Sequence, residues 1–471
     1  MTLFLALFVI CLTSLIIMYS CDSFEGAADY LGRNMKPGVK GATINAIGSS
    51  LPELFTTAIF LFGPHFSEEL FGKIGQGFAA GIATCAGSAV FNAVIIPAFC
   101  IFFVFAKGVR TQTGFVRVRE IVLNRRVVFK DGLFFLLATS LLIFFLSMSF
   151  ETHMTWWMGS IFLAVYGLYM FMTLRFDDVD QDAAQVVDSK VDSTEEESGW
   201  GILGLGWLLD INERFYRGRE YDTRRAWVVL LTSVIAIGLA CAGIAWGVET
   251  IAHCLSVPSY FTAVILAAAA TSVPDTALSV KDALKGDYDD ALANAIGSNI
   301  FDICVCIGLP LLVYTLCYGP LPPSRSAGEI QLLQWMLLVV TCVVLAVFLL
   351  SRRIGLVHGV ALSTVYIVWT TFVVGRGCNA DWTRPFAEFV HELHAPTVIT
   401  MSEYRRVDYG MSVDEVLDVV GSGCDRLSHA DLMPNNPEHS MSVYACMNAF
   451  GSNGLFTFVG DKLRIKVQVG L

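Results

Sequence analysis

Charge is what this chain lacks. Only 15% of its 471 residues are Asp, Glu, Lys or Arg, against 55% hydrophobic ones, and the mean hydropathy is +0.61. Soluble domains carry about 25% charged residues, so the composition sets a soluble class aside, and no nucleic-acid partner is assigned. The net charge of −11 comes largely from loops and the C-terminal tail. Zinc-ligand spacing is absent too: the 13 cysteines include no CxxC and no Cys/His pattern. Cys85, Cys100, Cys241, Cys304, Cys306 and Cys342 lie inside apolar runs and read as small hydrophobes. Cys424 and Cys446 fall in the soluble tail and are able to pair if it faces an oxidising compartment. No basic residue precedes Arg33. The opening "MTLFLALFVICLTSLIIMYS" therefore lacks the n-region of a signal peptide and reads as a retained first span with an outside N-terminus.

What the chain has instead is a series of apolar runs of about 18 residues or more, the length that crosses a bilayer. They predict an all-α polytopic membrane protein of ten spans in two groups of five. The first group is 1–20, 37–62, 77–106, 131–150 and 156–176; the second is 226–248, 258–283, 288–318, 331–351 and 354–376. Basic residues cluster at Lys107 to Arg126, at Arg214 to Arg225, and at Arg352 and Arg353. All three clusters share one side, the cytoplasmic one, if the N-terminus is outside. The loop carrying Glu68 and Glu69 is then outside, and so is the C-terminus. Five spans per half place the two halves in opposite senses.

The expected domains are a first five-helix repeat (1–176), an acidic cytoplasmic linker with an interfacial helix (177–225), a second five-helix repeat (226–377) and a small α+β extracytoplasmic domain (378–471). The linker reads as solvated from "DDVDQD" and "STEEES", and "WGILGLGWLLDINERFYRGRE" as its interfacial helix. In the tail, "GMSVDEVLDVVG" reads as a helix with Ser412 as N-cap and Gly421 at its end. The runs "SVYACMNAF", "GLFTFV" and "LRIKVQVGL" read as strands joined by "GSNG" and "GDK" turns. This tail resembles the helix-plus-meander domains of the bacterial outer-membrane small lipoprotein type, SmpA/OmlA-like. No function is carried from that resemblance and no protein partner is assigned.

Internal comparison is more informative than any single motif. "IGSSLPELFTT" (47–57) matches "AATSVPDTALS" (269–279), aligning Pro52 with Pro274 and Glu53 with Asp275. "AGSAVFNAVIIP" (86–97) matches the first half of "IGSNIFDICVCIGLP" (296–310), aligning Gly87 with Gly297, Ser88 with Ser298, Phe91 with Phe301, and Asn92 with Asp302. The motifs keep their order on spans two and three and again on seven and eight, so the sequence predicts an inverted-repeat transporter with a midplane site. A lone Pro-Glu is compatible with a kink and a snorkelling carboxylate, and a lone Gly-Ser with close helix packing. Duplicated in order, with an acid at matching places, they favour a site. Proline frees the carbonyl one turn back, near Gly48 and Ala270. Carbonyls, hydroxyls and carboxylates together suit hard cations such as Ca2+ and Na+. Asp282, Asp287, Asp289 and Asp290 read as a solvated loop, and His253, Glu249 and Asp131 as interfacial.

"GSSLPELFTT", "TSVPDTALSV" and "GSNIFDI" resemble the α-repeats of the cation/Ca2+ antiporter superfamily, the sodium/calcium exchanger membrane region, over about residues 1–376. The pairing of "PE" with "PD" and "SNIFD" is most similar to the K+-dependent Na+/Ca2+ exchangers. The resemblance implies Glu53 and Asp275 as central Ca2+ ligands shared with Na+. It implies hydroxyl oxygens from Ser49, Ser50, Thr271 and Ser272, and backbone oxygens from Ala46 and Ala268. Ser88, Asn92, Ser298 and Asp302 would line flanking Na+ or K+ positions. Ala89 stands where the second repeat has Asn299, leaving Asn92 as the first repeat's main amide. The implied activity is antiport of Na+ against Ca2+ by alternating access, with K+ as a candidate co-transported ion. Spans one and six would move past a core of spans two, three, seven and eight. No cofactor is expected beyond the transported ions, and the chain is not read as an enzyme. The expected location is a multi-pass protein of the plasma or bacterial inner membrane, both termini extracytoplasmic. H+/Ca2+ antiport is the transport alternative. From other classes come an intramembrane hydrolase, which lacks a His or Ser-base partner at the motifs' depth, and a membrane-anchored docking protein acting through its tail.

Overall fold

The computed structural model describes residues 2–31, 46–66, 74–111, 114–118, 120–148, 153–176, 211, 222–321, 327–351, 353–378, 380–387, 401–420, 424–431, 440–447 and 453–469. The acidic stretch, most of the interfacial helix, the Glu68–Glu69 loop and Gly421 lie outside these residues. The chain divides into two compact units, Met1–Ala380 and Asp381–Leu471.

The first unit is helical. Its elements are α1 (Thr2–Leu31), α2 (Ala46–Phe66), α3 (Ile74–Lys107), α4 (Arg125–Met148), α5 (Trp156–Phe176) and α6 (Thr223–Leu255). They are followed by α7 (Ser259–Thr271), α8 (Val273–Lys285) and α9 (Tyr288–Tyr318), then α10 (Ala327–Leu350) and α11 (Leu356–Gly377). Among the described residues eight of these are long and apolar enough to cross a membrane, and α7 with α8, bent by 43° at Ser272, make a ninth if taken as one. The predicted count of ten is thus not reached on length and apolarity. The second predicted span falls short because α2 carries Glu53, Pro52 and Pro64 in its 21 residues. Helices also outrun their predicted ends: α1 continues to Leu31 and α6 to Leu255. Their last turns are amphipathic, so hydropathy loses them before the helix ends. A short hairpin, β1 (Val109–Thr111) with β2 (Gly114–Val116), follows α3 and was not anticipated.

Small residues set the spacing of the core. Helix α3 is buried on every face from 77 to 90, as expected of a helix that is apolar all round. Its glycines are places where another backbone sits. A Cβ on Gly77 would lie 2.0 Å from the Phe60 carbonyl oxygen, and one on Gly87 1.9 Å from that of Val264. Such stripes of small residues let membrane helices approach closely.

The contacts repeat between the two halves. Ile121, after α3, exchanges both backbone hydrogen bonds with Ile354, before α11, at 2.9 Å each. Leu321, after α9, does the same with Met154, before α5, at 2.9 and 3.0 Å. Each bridge ties the end of a central helix in one half to the start of an outer helix in the other.

The second unit has α12 (Met401–Arg406), α13 (Val413–Val420) and a four-stranded antiparallel meander, β3 (Asp425–Asp431), β4 (Ser440–Met447), β5 (Asn453–Val459) and β6 (Lys462–Val469). Ser412 caps α13: its Oγ accepts the Glu415 N–H at 3.2 Å while Glu415 Oε2 accepts the Ser412 N–H at 2.8 Å. Val416 and Val420 of α13 pack on Cys446, Phe456, Phe458 and Leu463. Strand β3 was missed because "DRLSHAD" has no apolar alternation; it forms through pairing with β4. Cys424 and Cys446 form a disulfide.

That bond closes a loop with a sequence separation of 22, which should stabilise the unit by about 3 kcal/mol. Cys446→Ser in the full chain is expected to lower the opening free energy of β4 and β5 by about this amount, read by hydrogen exchange. Unchanged protection would contradict it.

Candidate ion-binding site

Proline explains where the site's helices are disturbed. Pro274 has no N–H to offer the carbonyl four residues back, that of Ala270. This oxygen instead accepts a hydrogen bond from Ser14 Oγ of α1 at 3.0 Å. Just before the proline, Ser272 adopts φ −79°, ψ 2° and separates α7 from α8. In the first half α2 runs unbroken through Pro52, whose own carbonyl accepts from Cys241 Sγ of α6 at 3.4 Å. Two π-helical segments lie nearby, Ala263–Ala267 in α7 and Asp302–Ile307 in α9. Such insertions recur at functional sites.

These elements bring the predicted residues together around Ser88. Its hydroxyl lies 3.2 Å from Glu53 Oε1, 2.9 Å from Asp302 Oδ2 and 2.9 Å from Ser272 Oγ. Asn92 Nδ2 donates to Asp275 Oδ2 at 3.1 Å and approaches Ser88 Oγ at 3.4 Å. Ser298 donates to Asp275 Oδ1 at 3.1 Å. The aligned serines thus serve the aligned acids, Ser88 with Glu53 and Ser298 with Asp275. Hydroxyls cross the other way, Thr271 lying beside Glu53 and Ser49 beside Asp275.

Glu53, Asp275, Asp302, Asn92, Ser50, Ser88, Thr271 and Ser272 are fully buried, and Ser49 and Ser298 nearly so. Among the described residues no lysine or arginine pairs with any of the three carboxylates. Four buried oxygens there lack a hydrogen-bond donor: Ser50 Oγ, Glu53 Oε2, Asn92 Oδ1 and Asn299 Oδ1. A buried acceptor left unpaired is costly, and so is an unpaired carboxylate. Hard cations coordinated by oxygen relieve both costs. Among the described residues no three His, Cys, Asp or Glu side chains converge as a ready-made metal cluster. The oxygens come from a mixed set in which hydroxyls bridge the acids.

Two implied ligands stand differently from the rest. The Ala268 carbonyl already accepts the Ser272 N–H at 3.1 Å and Thr271 Oγ1 at 3.2 Å, and Ala46 is the first residue of α2. Sequence reasoning missed several neighbours. Cys306 Sγ lies 3.7 Å from the Ser50 carbonyl and 3.8 Å from Asp302 Oδ1. Asn299 donates across the helix crossing to the Ala89 carbonyl at 3.0 Å, which gives the missing amide at position 89 a structural reason. The sequence signal of Cys306 is a sulfur four residues after the aligned Asp302, and that of Asn299 an amide beside the aligned Ser298. Asp131, read as interfacial, is buried and accepts from the Tyr169 hydroxyl at 3.3 Å. The adjacent aromatic helix α5, not the span's end, decides its exposure.

Apolar helices around a nest of buried carboxylates and hydroxyls define a polytopic membrane protein. A family model, sodium/calcium exchanger protein, matches residues 5–175 and 225–375. The chain belongs to the sodium/calcium exchanger family and is an integral membrane protein of that exchanger class. It is similar to sodium/potassium/calcium exchanger 5 of Homo sapiens, 24% identical over 442 residues, covering 77% of this chain and 82% of the relative. Sodium/potassium/calcium exchanger 4 of Mus musculus is 31% identical over 149 residues, 31% of this chain and 24% of the relative. Among solved structures, the H+/Ca2+ exchanger CAX aligns with TM-score 0.49 and 15% identity, over 82% of this chain and 91% of that one. In the tail, a beta-lactamase inhibitor (BLIP) model matches residues 400–471.

The aligned glycines at the site are not equivalent. Gly87 is closed off by the Val264 backbone, whereas a Cβ on Gly297 would meet only the Tyr169 hydroxyl at 3.4 Å. Gly87→Ala is expected to destabilise the purified protein by about 3 kcal/mol, while Gly297→Ala melts with the wild type. Equal melting of both variants would contradict the crossing.

Proposed function

We propose that the protein exchanges Na+ for Ca2+ across its membrane by alternating access, with K+ moving alongside Ca2+. The observation that carries this reading is the meeting of Glu53, Asp302 and Asn92 on Ser88, with Asp275 joined to them through Asn92, all buried and, among the described residues, without a lysine or arginine partner. The family and the names of the similar exchangers support the same ions. Glu53 and Asp275 would hold Ca2+ or Na+ in turn. Ser49, Ser50, Thr271, Ser272 and the Ala46 and Ala268 carbonyls would complete the shell, and Ser88, Ser298, Asn92 and Asp302 would line the monovalent positions. Three carboxylates match the charge of Ca2+ plus one monovalent cation, which is why K+ is included.

The architecture that serves this mechanism is ten spans in two inverted five-helix repeats, 1–176 and 226–377. A cytoplasmic linker over 177–225 would join them, and the tail (378–471) would stand outside the cell with the N-terminus. The repeated bridges Ile121–Ile354 and Met154–Leu321 support the pairing of the halves, and the disulfide supports an oxidising side for the tail. The membrane would be the plasma membrane or a bacterial inner membrane.

The test is Ca2+ uptake by proteoliposomes under an imposed Na+ or pH gradient, with and without K+. Uptake is expected to follow the Na+ gradient and to rise with K+. Glu53→Gln and Asp275→Asn should each reduce it about 100-fold or more, and Asp302→Asn should shift the dependence on the monovalent ion more than that on Ca2+. Uptake that ignores Na+ and follows the pH gradient would replace this reading with H+/Ca2+ exchange.

A further inference from the structure

The outer helices α5 and α11 carry none of the residues around Ser88, yet both are built the same way toward them. "VYGLY" in α5 and "VYIVW" in α11 set Tyr166 and Tyr366 at matching places, followed by buried Tyr169 and Trp369. Tyr166 packs edge-on against Phe301 of α9, ring centroids 5.3 Å apart and planes at 85°. Tyr366 packs edge-on against Phe91 of α3, at 5.7 Å and 88°. Phe301 and Phe91 are the aligned phenylalanines of the two repeats. The residue after the first is Asp302 and the residue after the second is Asn92.

A second observation gives the same face of each outer helix a purpose. Seven residues before each tyrosine, on the same side of the helix, stands a glycine pressed against the same central helix. A Cβ on Gly159 would lie 2.6 Å from the Gly308 carbonyl oxygen of α9, and one on Gly359 would lie 2.9 Å from the Phe102 ring of α3. Each outer helix therefore approaches its central helix closely at the glycine and grips it two turns later with the tyrosine.

Resting on the exchange reading above, we propose that Tyr166 and Tyr366 are positioning residues: each fixes the rotation of a central helix about its own axis, and so the reach of Asp302 or Asn92 toward its partners. Neighbouring side chains point about 100° apart around a helix, and a side-chain tip lies about 5–6 Å from the axis. A rotation of about 20° then moves the tip by about 2 Å. That displacement separates Asp302 Oδ2 from Ser88 Oγ, now 2.9 Å away, or Asn92 Nδ2 from Asp275 Oδ2, now 3.1 Å away. The two grips are not equal. Phe301 is buried and Asp302 opens the π-helical segment Asp302–Ile307, whereas Phe91 is half-buried and Asn92 lies in unbroken α-helix. A π-turn holds its register less firmly, so Tyr166 has more to hold.

The test uses the full chain in proteoliposomes, with Tyr166→Leu, Tyr366→Leu and the ring-keeping variants Tyr166→Phe and Tyr366→Phe. Tyr166→Leu is expected to raise the half-saturating concentration of the activating monovalent ion about tenfold, and Tyr366→Leu about threefold, with maximal flux within about twofold. Both Phe variants should stay within about twofold of wild type, because the ring and not the hydroxyl makes the contact. Thermal melting of each purified variant, without ions and with added Na+, K+ or Ca2+, separates a positioning defect from a folding defect. The former moves the ion-dependent shift and spares the ion-free midpoint. Reduced maximal flux with unmoved half-saturation, or Phe variants as impaired as Leu, would overturn the proposal. A wild type without Na+-driven flux would overturn the exchange reading alone, and the ion-dependent melting shifts would still decide the positioning.

Discussion

Everything in the membrane unit answers one constraint: three carboxylates sit inside a helical bundle and, among the described residues, no lysine or arginine pairs with them. Glu53, Asp275 and Asp302 are fully buried, and an isolated charge in such a place costs several kcal/mol after relaxation. The chain answers with donors that carry no charge. Ser298 and Asn92 donate to Asp275, the single Ser88 proton is shared between Glu53 and Asp302, and Glu53 Oε2 and Asn92 Oδ1 stay open. Filling those places with lysine or arginine would have made a stable ion pair and a closed site. On the proposed mechanism, keeping them as hydroxyls and amides leaves the charge for an exchangeable ion.

Two halves of related sequence meet this constraint with different backbone chemistry. In the second half Pro274 follows a break at Ser272, and π-helical segments lie in α7 and α9. In the first half α2 and α3 stay continuous, and the close approach is made by glycine. The same asymmetry appears in the side chains, where Asp302 stands at the position that Asn92 takes in the other repeat. Pseudo-symmetric scaffolding with an unsymmetrical charge set gives one site of mixed character rather than two equal ones.

The duplicated Pro-acid and Gly-Ser motifs were legible in the sequence, because a carboxylate in an apolar run stands out and its repetition removes the bland explanations. Ser49, Ser88, Asn92, Thr271 and Ser298 follow from the same alignment, and the structure brings them within reach of the acids. What was not legible depends on neighbours far away in the chain. Asp131 reads as interfacial until Tyr169 of α5 covers it. Cys306, Asn299 and the tyrosines of α5 and α11 look like ordinary span residues until the helices are packed. Strand β3, polar throughout, has no pattern of its own and exists because β4 offers it an edge. Span ends were lost for a related reason, since α1 and α6 continue into amphipathic turns where hydropathy fades.

The contacts of α1 and α6 with the core connect the site's chemistry to its mechanics. Ser14 of α1 satisfies the Ala270 carbonyl that Pro274 leaves free, and Cys241 of α6 reaches the Pro52 carbonyl. Both acceptors belong to the motifs that carry Asp275 and Glu53. On the proposed mechanism α1 and α6 move together, and they pack along each other in the bundle. Any such movement must exchange these two hydrogen bonds for others. A hydroxyl or thiol makes a single modest bond, on the order of 1 kcal/mol net, so each is strong enough to favour one position and weak enough to release it. The two prolines thus act differently: Pro274 follows the break beside Asp275 and frees the Ala270 oxygen that Ser14 of α1 reaches, whereas Pro52 sits in unbroken helix and offers its own carbonyl to Cys241 of α6.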